Sequence, residues 1–208
     1  SLASHQLRTP LTTLNWYAEL LKSDDGKTLS EEQHEYVEAI HAGAQRMTEL
    51  VNALLDASRL ELGTFVVDPV STNADKLIRE EIKRQKPIAE NKKLKLAYKK
   101  SGSLVGMEQD PKLLSTIVQN LLSNAIKYTP EKGKVIITAS GTTRHLQIEV
   151  SDTGLGIPDD QQEHVFEKLF RASNVRKKDT VGTGLGLYVV KTIVDSLGGT
   201  IRFTSEEG

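Results

Sequence analysis

Apolar residues near the start of the chain recur three and four positions apart, a spacing that restricts this region to helices packed side by side. The first series is Leu7, Leu11, Leu14, Ala18 and Leu21. After the break "KSDDGKTLS", Ser30 and Gln33 have the spacing of a capping box and predict the start of a second helix. The apolar residues of that helix are Val37, Ile40, Ala44, Met47, Val51 and Leu54, broadened by Leu50 and Leu55.

Two helices cannot bury apolar faces of this width on each other alone. We therefore predict an antiparallel helical hairpin that forms a dimeric four-helix bundle with a second copy across a two-fold axis. The alternative is a monomeric hairpin packed on the rest of the chain. His5, Thr9 and Thr12 lie off the apolar seam, so their side chains are predicted to face solvent. Pro10 is predicted to kink the helix.

After "LELGTF" the pattern changes to helices mixed with strands, which makes the chain multi-domain, α followed by α+β. Helices are predicted over 73–91, 110–127 and 185–197, strands over 65–71, 94–100 and 200–204, and a hairpin over 134–140 with 145–151. This order predicts an α/β sandwich in which one sheet is covered on one face by helices.

The composition excludes several classes of protein. Lys and Arg number 27 against 28 Asp and Glu, so neither a nucleic-acid surface nor a polybasic membrane anchor is predicted. The lack of cysteine excludes disulfides, thiolate metal sites and cysteine nucleophiles. No apolar run has the length of a transmembrane helix or the form of a signal peptide.

Two segments carry polar residues with the spacing of a ligand site. Asn120, Asn124 and Lys127 form a stripe on a predicted helix, where amide oxygens suit Mg²⁺ and an ammonium suits phosphate. A solvated helix face is the ordinary alternative. Asp152 ends a predicted strand and precedes Gly154 and Gly156. Its carboxylate can accept a hydrogen bond from an exocyclic amine, although the same residues also suit a simple Asp-Gly turn.

A third segment is rich in glycine. Gly182, Gly184 and Gly186 directly precede an apolar helix, which resembles a phosphate cradle at a helix N-terminus, although the Lys-Ser/Thr ending of a P-loop is missing. The preceding stretch "FEKLFRASNVRKKDT" predicts either a basic flap over a polyphosphate or a charged surface loop. Its basic residues are Arg171, Arg176, Lys177 and Lys178.

Five segments resemble, in order and spacing, the H, N, G1, F and G2 boxes of sensor histidine kinases. They are "SHQLRTPLT", "NLLSNAIKYTP", "DTGLGIP", "VFEKLFR" and "GTGLGL", and the resemblance covers essentially the whole chain. It implies a dimerisation and histidine phosphotransfer domain over residues 1–62, followed by a catalytic ATP-binding domain of the Bergerat fold over residues 67–208. It also implies a fragment, with a sensory region expected before Ser1 and a last strand expected after Gly208.

The resemblance implies ATP and Mg²⁺ as ligands and assigns a role to each motif residue. His5 would accept the γ-phosphoryl group, Asn124 would bind Mg²⁺, and Asp152 would recognise the adenine amine. The remaining ATP-binding residues implied are Asn120, Lys127, Tyr128, Gly154, Gly156, Arg171, Gly182, Thr183, Gly184, Leu185 and Gly186. The phosphoryl group would then pass to an aspartate on the receiver domain of a response regulator.

Gln6 departs from the family, which usually has Glu or Asp directly after the histidine. An amide can orient the imidazole but cannot accept its proton, so slower autophosphorylation is predicted. Thr9 matches the family's phosphatase position, although it could also be a simple exposed helix residue. With the kinase step weakened by Gln6, the balance is predicted to lean toward dephosphorylation of the regulator.

Two other functions stay open at this point. One is ATP hydrolysis, as in the gyrase, chaperone and mismatch-repair branch, which the amide of Asn120 disfavours because that branch has a glutamate base there. The other is a pseudokinase, an ATP-binding dimer that never phosphorylates His5. The resemblance implies a cytoplasmic location without direct membrane contact in this fragment, and leaves open whether the parent protein is anchored in a membrane.

Overall fold

In a computed structural model the chain forms two compact units, residues 1–59 and residues 60–208. The structure describes residues 2–23, 29–61, 67–142, 145–177 and 182–207. Within these ranges the side chains of residues 2–9, 23, 46, 49–50, 52–54, 56–57, 59–61 and 176–177 lie outside the description, and with them Leu7, Leu50 and Leu54 of the predicted seam. None of the helices in the described ranges is both long and apolar enough to cross a membrane.

In its described part the first unit contains two helices, α1 (Leu2–Ser23) and α2 (Glu31–Glu61). The predicted capping box is confirmed at the start of α2. The Ser30 N–H donates to Gln33 Oε1 at 2.8 Å, and the Gln33 N–H donates to Ser30 Oγ at 3.2 Å. These two bonds satisfy backbone donors that a helix start leaves without partners.

Part of the predicted apolar seam is buried inside this unit and part is exposed. The buried residues are Leu11, Ala18, Val37 and Ala44. Four larger side chains of the same seam are 45 to 56% exposed: Leu14, Leu21, Ile40 and Met47. One copy of the hairpin therefore leaves a row of large apolar side chains open to solvent.

The second unit contains four helices and five strands among the described residues. The helices are α3 (Ala74–Asn91), α4 (Pro111–Tyr128), α5 (Ser173–Lys177) and α6 (Gly186–Ser196). The strands are β1 (Val70–Thr72), β2 (Lys95–Gly102), β3 (Met107–Gln109), β4 (Lys134–Gly141) and β5 (Leu146–Asp152), and a short 3₁₀ helix covers Asp159–His164. The three predicted helices and the predicted hairpin are confirmed.

The strands form two ladders instead of the one sheet predicted. The larger has the order β2-β4-β5, with β2 parallel to β4 and β4 antiparallel to β5. The smaller pairs β1 with β3 in antiparallel register. Strand β2 is at the edge of the larger ladder, and Lys95, Lys99 and Lys100 are exposed along it.

Two predicted strands differ from the structure. Of the strand predicted over 65–71, residues 65 and 66 lie outside the described residues, and residues 67–69 join no ladder before β1 begins at Val70. The Asp68 N–H instead donates to the Asp110 carboxylate at 3.1 Å. No strand forms over 200–204. The residues that follow are held by side chains, since Ser205 Oγ accepts from the Ile157 N–H at 2.9 Å and Ser205 O accepts from Gln162 Nε2 at 3.0 Å.

Helix α4 runs through the core of the second unit. Its N-cap is Asp110, which accepts from the N–H groups of Lys112 and Leu113, and Pro111 follows at the first helical position. The helix packs between α3 and α6 and against β4 and β5. Its side chains Val118 and Leu122 are fully buried together with Ile126, Ile78 of α3, and Val135 and Ile137 of β4.

A charged cluster on Asp75 joins α3 to β2. The carboxylate accepts from Tyr98 Oη at 2.9 Å, Lys100 Nζ at 3.0 Å and Arg79 Nε at 3.2 Å. Desolvation raises the pKa of the Asp75 carboxyl, but the hydrogen bonds outweigh it and the pKa lies below its usual value. Ionised Asp75 therefore stabilises the fold.

We expect Asp75→Asn to lower the free energy of unfolding at pH 7 by about 1–3 kcal/mol, because charged hydrogen bonds are lost. The depressed pKa means that this contribution is complete above the unfolded pKa, about 3.9, and disappears as the pH falls through the folded value. Urea unfolding of both proteins between pH 7 and pH 3 measures the difference.

The control is Asp195→Asn, because Asp195 forms an exposed pair with Lys191 on α6. That substitution is expected to change stability by less than about 0.5 kcal/mol at any pH. A difference between parent and Asp75→Asn that grew on acidification would contradict the assignment.

Candidate functional site

Three polar residues of the second unit lie on the side of α4 that faces α6. Asn120, Asn124 and Lys127 are half-buried and follow one another at helical spacing. The Asn120 Nδ2 group donates to the Thr116 carbonyl at 2.8 Å. Its Oδ1 atom is thereby directed toward the loop that precedes α6.

The loop of residues 182–186 approaches α4 closely at two glycines, Gly182 and Gly186. A Cβ atom added at Gly186 would lie 2.9 Å from Asn120 Oδ1 and 3.5 Å from Asn124 Nδ2. A Cβ added at Gly182 would overlap Lys127 Nζ and lie 3.3 Å from Tyr128 Oη. The sequence-predicted stripe and the glycine-rich segment therefore form one site.

The start of α6 has the features of an anion-binding helix terminus. Among the described residues no side chain caps it, and its N-cap residue is Leu185. Thr183 Oγ1 accepts from the Leu185 N–H at 3.3 Å, which shapes the turn before the helix. Backbone N–H groups at such a terminus attract phosphate.

Gly184 brings the same loop against the F-box segment. Its φ of +70° is a conformation that other residues rarely adopt. A Cβ atom there would lie 2.6 Å from the Leu169 carbonyl carbon and 2.6 Å from Phe170 O. The predicted G2 and F motifs are therefore in contact through their backbones.

The predicted G1 segment adjoins the end of α4. Asp152 Oδ1 accepts from the Gly154 N–H at 2.8 Å, and the Leu155 N–H donates to Tyr128 O at 3.3 Å. Partial desolvation raises the pKa of the Asp152 carboxyl, while the Gly154 N–H opposes the rise. Gly156, with φ of +62°, passes close to the Glu206 backbone, where a side chain would collide.

Tyr128, at the end of α4, lies near two basic residues, Lys127 and Arg171. Its ring is half-buried, and Lys127 Nζ lies 5.3 Å from the ring centre. Burial raises the pKa of the Tyr128 hydroxyl, and the positive charge of Arg171 opposes the rise. Arg171 is thus near enough to act on Tyr128 electrostatically. The side chains of Arg176 and Lys177, and Lys178 as a whole, lie outside the described residues.

Sequence reasoning missed two side chains that hold the G1 segment in place. Asn174 Nδ2, on α5, donates to Gly156 O at 3.1 Å and to Leu155 O at 3.4 Å. Gln162 Nε2 donates to Ile157 O at 3.1 Å. Each is a single amide in a polar stretch, and no spacing in the sequence distinguishes it from a surface residue.

Magnesium fits the donors that this site offers. No group of three or more His, Cys, Asp or Glu residues able to hold a metal occurs in the described ranges. The Asn120 and Asn124 amides face the side-chain-free position of Gly186. Neutral amide oxygens, completed by phosphate oxygens and water, suit Mg²⁺, which rarely takes an all-protein cage.

The remaining candidates belong to the first unit. His5, Gln6 and Thr9 lie in α1, so His5 and Thr9 are one helical turn apart. Their side chains, and with them the predicted exposure of His5, lie outside the described residues. The backbone of α1 continues as helix through Pro10.

Two family models match the chain. The model described as "His Kinase A (phospho-acceptor) domain" covers residues 1–63. The model described as "Histidine kinase-, DNA gyrase B-, and HSP90-like ATPase" covers residues 109–208. The first contains α1 and α2, and the second contains α4, the G1 segment and the glycine-rich loop.

Individual relatives agree with these matches. The sensor-like histidine kinase SenX3 of Mycolicibacterium smegmatis is 33% identical over 99% of this chain and 53% of its own length. The crystal structure of full-length ShkA in complex with AMPPNP has a TM-score of 0.81 at 30% identity, over 100% of this chain and 42% of that one. Histidine kinase ThkA in complex with the response regulator protein TrrA is similar in fold, with a TM-score of 0.62 at 22% identity over 98% of this chain and 57% of that one.

These observations define a two-domain chain, with a phospho-acceptor helical domain followed by an ATP-binding domain of the histidine kinase and gyrase type. The chain belongs to the sensor histidine kinase family of two-component systems. It spans about half the length of the mycobacterial relatives that it matches.

Gly186→Ala is expected to weaken binding of the ATP analogue AMPPNP by about tenfold or more, because the new methyl group crowds the two asparagines of α4. Isothermal titration calorimetry with Mg²⁺ and AMPPNP measures the affinity. The control is Gly43→Ala on α2, where an added Cβ meets nothing within 4 Å. Unchanged affinity in Gly186→Ala would contradict the contact between the loop and the α4 amides.

Proposed function

We propose that this chain is the catalytic core of a sensor histidine kinase, which transfers the γ-phosphoryl group of ATP to His5 and then to an aspartate of a response regulator. The observation that carries the proposal is the contact between the polar side of α4 and the glycine loop at the α6 N-terminus. It supports a phosphate site bordered by amides and an ammonium, in a chain whose other unit carries a histidine on a helix.

Each candidate residue takes a part in nucleotide binding under this proposal. Asp152 accepts from the adenine amine, with Gly154 and Gly156 shaping that end of the pocket. The loop of residues 182–186 and the α6 terminus bind phosphate oxygens, with Lys127 and Arg171 balancing the charge. Asn124 would hold Mg²⁺, with Asn120 beside it, and the ion would neutralise charge on the phosphate oxygens.

The phosphoryl transfer needs alignment more than covalent chemistry from the protein. A neutral imidazole nitrogen of His5 attacks the γ-phosphorus, the bond to the bridging oxygen breaks, and ADP leaves with the electron pair. The ring becomes cationic and gives its other proton to solvent, since Gln6 offers an amide where the family has a carboxylate. Gln6 orients the ring by hydrogen bonding, so the step is slower but remains possible.

The alternative of simple ATP hydrolysis lacks a base. Asn120 occupies the position one turn before Asn124, and its Nδ2 group already donates to the Thr116 carbonyl. An amide cannot take a proton from water, so transfer to His5 is favoured over hydrolysis.

The assembly proposed is a homodimer of the helical unit. Leu14, Leu21, Ile40 and Met47 are all 45% exposed or more in one copy, although they belong to the same seam as buried residues. A second hairpin across a two-fold axis would cover this row as a four-helix bundle. The two domains are assigned to residues 1–62 and 67–208.

The partner proposed is the receiver domain of a response regulator, the kind of protein bound to ThkA in its complex with TrrA. Thr9, one turn after His5, would align the water that hydrolyses the aspartyl phosphate. We propose a cytoplasmic location for this core, where ATP and the regulator are available.

Incubation with γ-labelled ATP and Mg²⁺ is expected to give an acid-labile label that is lost in His5→Ala. Gln6→Glu is expected to label at least about tenfold faster, because a carboxylate can accept the imidazole proton. His145→Ala, a change at an exposed histidine of the second unit, is the control and keeps the parent rate. Binding of nucleotide without any label would identify a pseudokinase and overturn the proposal.

Thr9→Ala is expected to slow dephosphorylation of a receiver domain that the parent phosphorylates by about tenfold or more, because the water loses its hydrogen-bond partner. Autophosphorylation of His5 should stay near the parent rate. Thr12→Ala, on the same face of α1 by heptad position, should leave both steps unchanged. Equal dephosphorylation by Thr9→Ala and the parent would remove Thr9 from the phosphatase step.

A further inference from the structure

Side-chain hydrogen bonds connect α3 to α4 at two separate places. Near the start of α4, Ser115 Oγ donates to the Glu81 carboxylate, which also accepts from Arg84 Nη1 at 2.7 Å. At the end of α4, the Lys92 ammonium donates to Ile126 O at 2.8 Å and to Lys127 O at 2.9 Å. The first connection lies near the start of α4, and the second lies at the end of α4 that carries Lys127 and Tyr128.

Lys92 stabilises the C-terminal turn of α4. The last carbonyl groups of a helix have no partner within the helix, and a cation there also interacts favourably with the helix dipole. The Lys92 backbone makes a further hydrogen bond: its carbonyl accepts from the N–H of Lys132 at 3.1 Å, in the turn that leads to β4. One residue at the end of α3 therefore fixes both the last turn of α4 and the chain that follows it.

The Lys92 ammonium makes these bonds in a partly desolvated groove. A groove of about 350 Å³ between α3 and α4 is lined by Gln85, Ile88, Lys92, Ser123, Ile126 and Lys127. Desolvation in this place lowers the pKa of the Lys92 ammonium. A donor in a partly dry site holds its acceptors more firmly than one in open solvent.

The turn held by Lys92 is the junction of the nucleotide-binding segments. Lys127 from this turn reaches Gly182 of the loop before α6. The carbonyl of Tyr128, the next residue, accepts from the Leu155 N–H of the G1 segment. A small rotation of the last turn of α4 would therefore displace contacts to both segments.

We propose that Lys92 is a positioning residue for nucleotide binding, acting through the backbone of Ile126 and Lys127 on the side chains of Lys127 and Tyr128. The inference rests on the proposed function of this site as the ATP pocket. Lys92 precedes the range matched by the ATPase family model, residues 109–208. In the sequence it belongs to the lysine-rich run "NKKLK", which is typical of a solvated surface.

The test compares Lys92→Met, which keeps an apolar stem without donors, with Lys92→Arg, which keeps a charged donor. Calorimetry with Mg²⁺ and AMPPNP gives the dissociation constant, and labelling with ATP gives KM and kcat separately. Lys92→Met is expected to raise the dissociation constant and the ATP KM by about tenfold with a smaller change in kcat, and Lys92→Arg to restore most of the affinity.

Ser115→Ala is the matched control for a purely structural effect. It removes the other connection between α3 and α4, and is expected to lower the thermal midpoint without nucleotide while leaving the dissociation constant within about twofold of the parent. Lys86→Met controls for loss of an exposed lysine on α3, since Lys86 forms an exposed pair with Glu90 at 3.4 Å. If Lys92→Met does not fold, Lys92→Gln, which keeps an uncharged amide donor group, takes its place in the same measurements.

The outcomes separate this inference from the proposed function. A parent that binds no AMPPNP contradicts the proposed function itself. A parent that binds, with Lys92→Met affinity unchanged or with Ser115→Ala weakening affinity to the same degree, overturns the positioning role of Lys92 and leaves the ATP site in place.

Discussion

Helix α4 is amphipathic, and its two sides serve the core and the candidate site of the second unit. Val118, Leu122 and Ile126 fill the core on one side, while Asn120 and Asn124 face the loop of residues 182–186 on the other. The polar side cannot turn toward solvent without pulling the apolar side out of a densely packed core. The direction of the two amides is therefore set by hydrophobic packing, before any ligand arrives.

The loop of residues 182–186 approaches its neighbours mainly through its backbone. Glycines at 182 and 186 permit close approach to α4, and Gly184 brings the same loop against the backbone of Leu169 and Phe170. Backbone N–H groups can bind phosphate without a charged side chain, and they lose little entropy when they do so. A chain with nearly balanced overall charge can thus hold a highly charged nucleotide by local geometry, which agrees with the absence of a broad basic surface in its composition.

The sequence predicts an element correctly where the signals for that element lie within the same short stretch of chain. The capping box of Ser30 and Gln33, the helices over 74–91 and 111–128, and the hairpin that ends at Asp152 all follow from local periodicity and caps. The strand expected over 200–204 does not form, because a strand needs a ladder partner that its own sequence cannot reveal. Lys92 and Asn174 were unpredictable for a related reason: their acceptors are backbone carbonyls distant in the chain, so no side-chain pattern indicates them.

Strand β2 is an edge strand whose side chains oppose the addition of a strand from another chain. An edge strand exposes unpaired backbone groups on which a strand from another chain could add, and charged side chains along the edge are a common protection. Lys95, Lys99 and Lys100 are exposed on β2, and Lys100 is also drawn to Asp75 of α3. Two copies that approached edge to edge along β2 would bring these ammonium groups together, so sheet extension at this edge is disfavoured. The lysines of β2 thus protect one edge of the larger ladder, while the row of exposed apolar side chains lies on the helical hairpin.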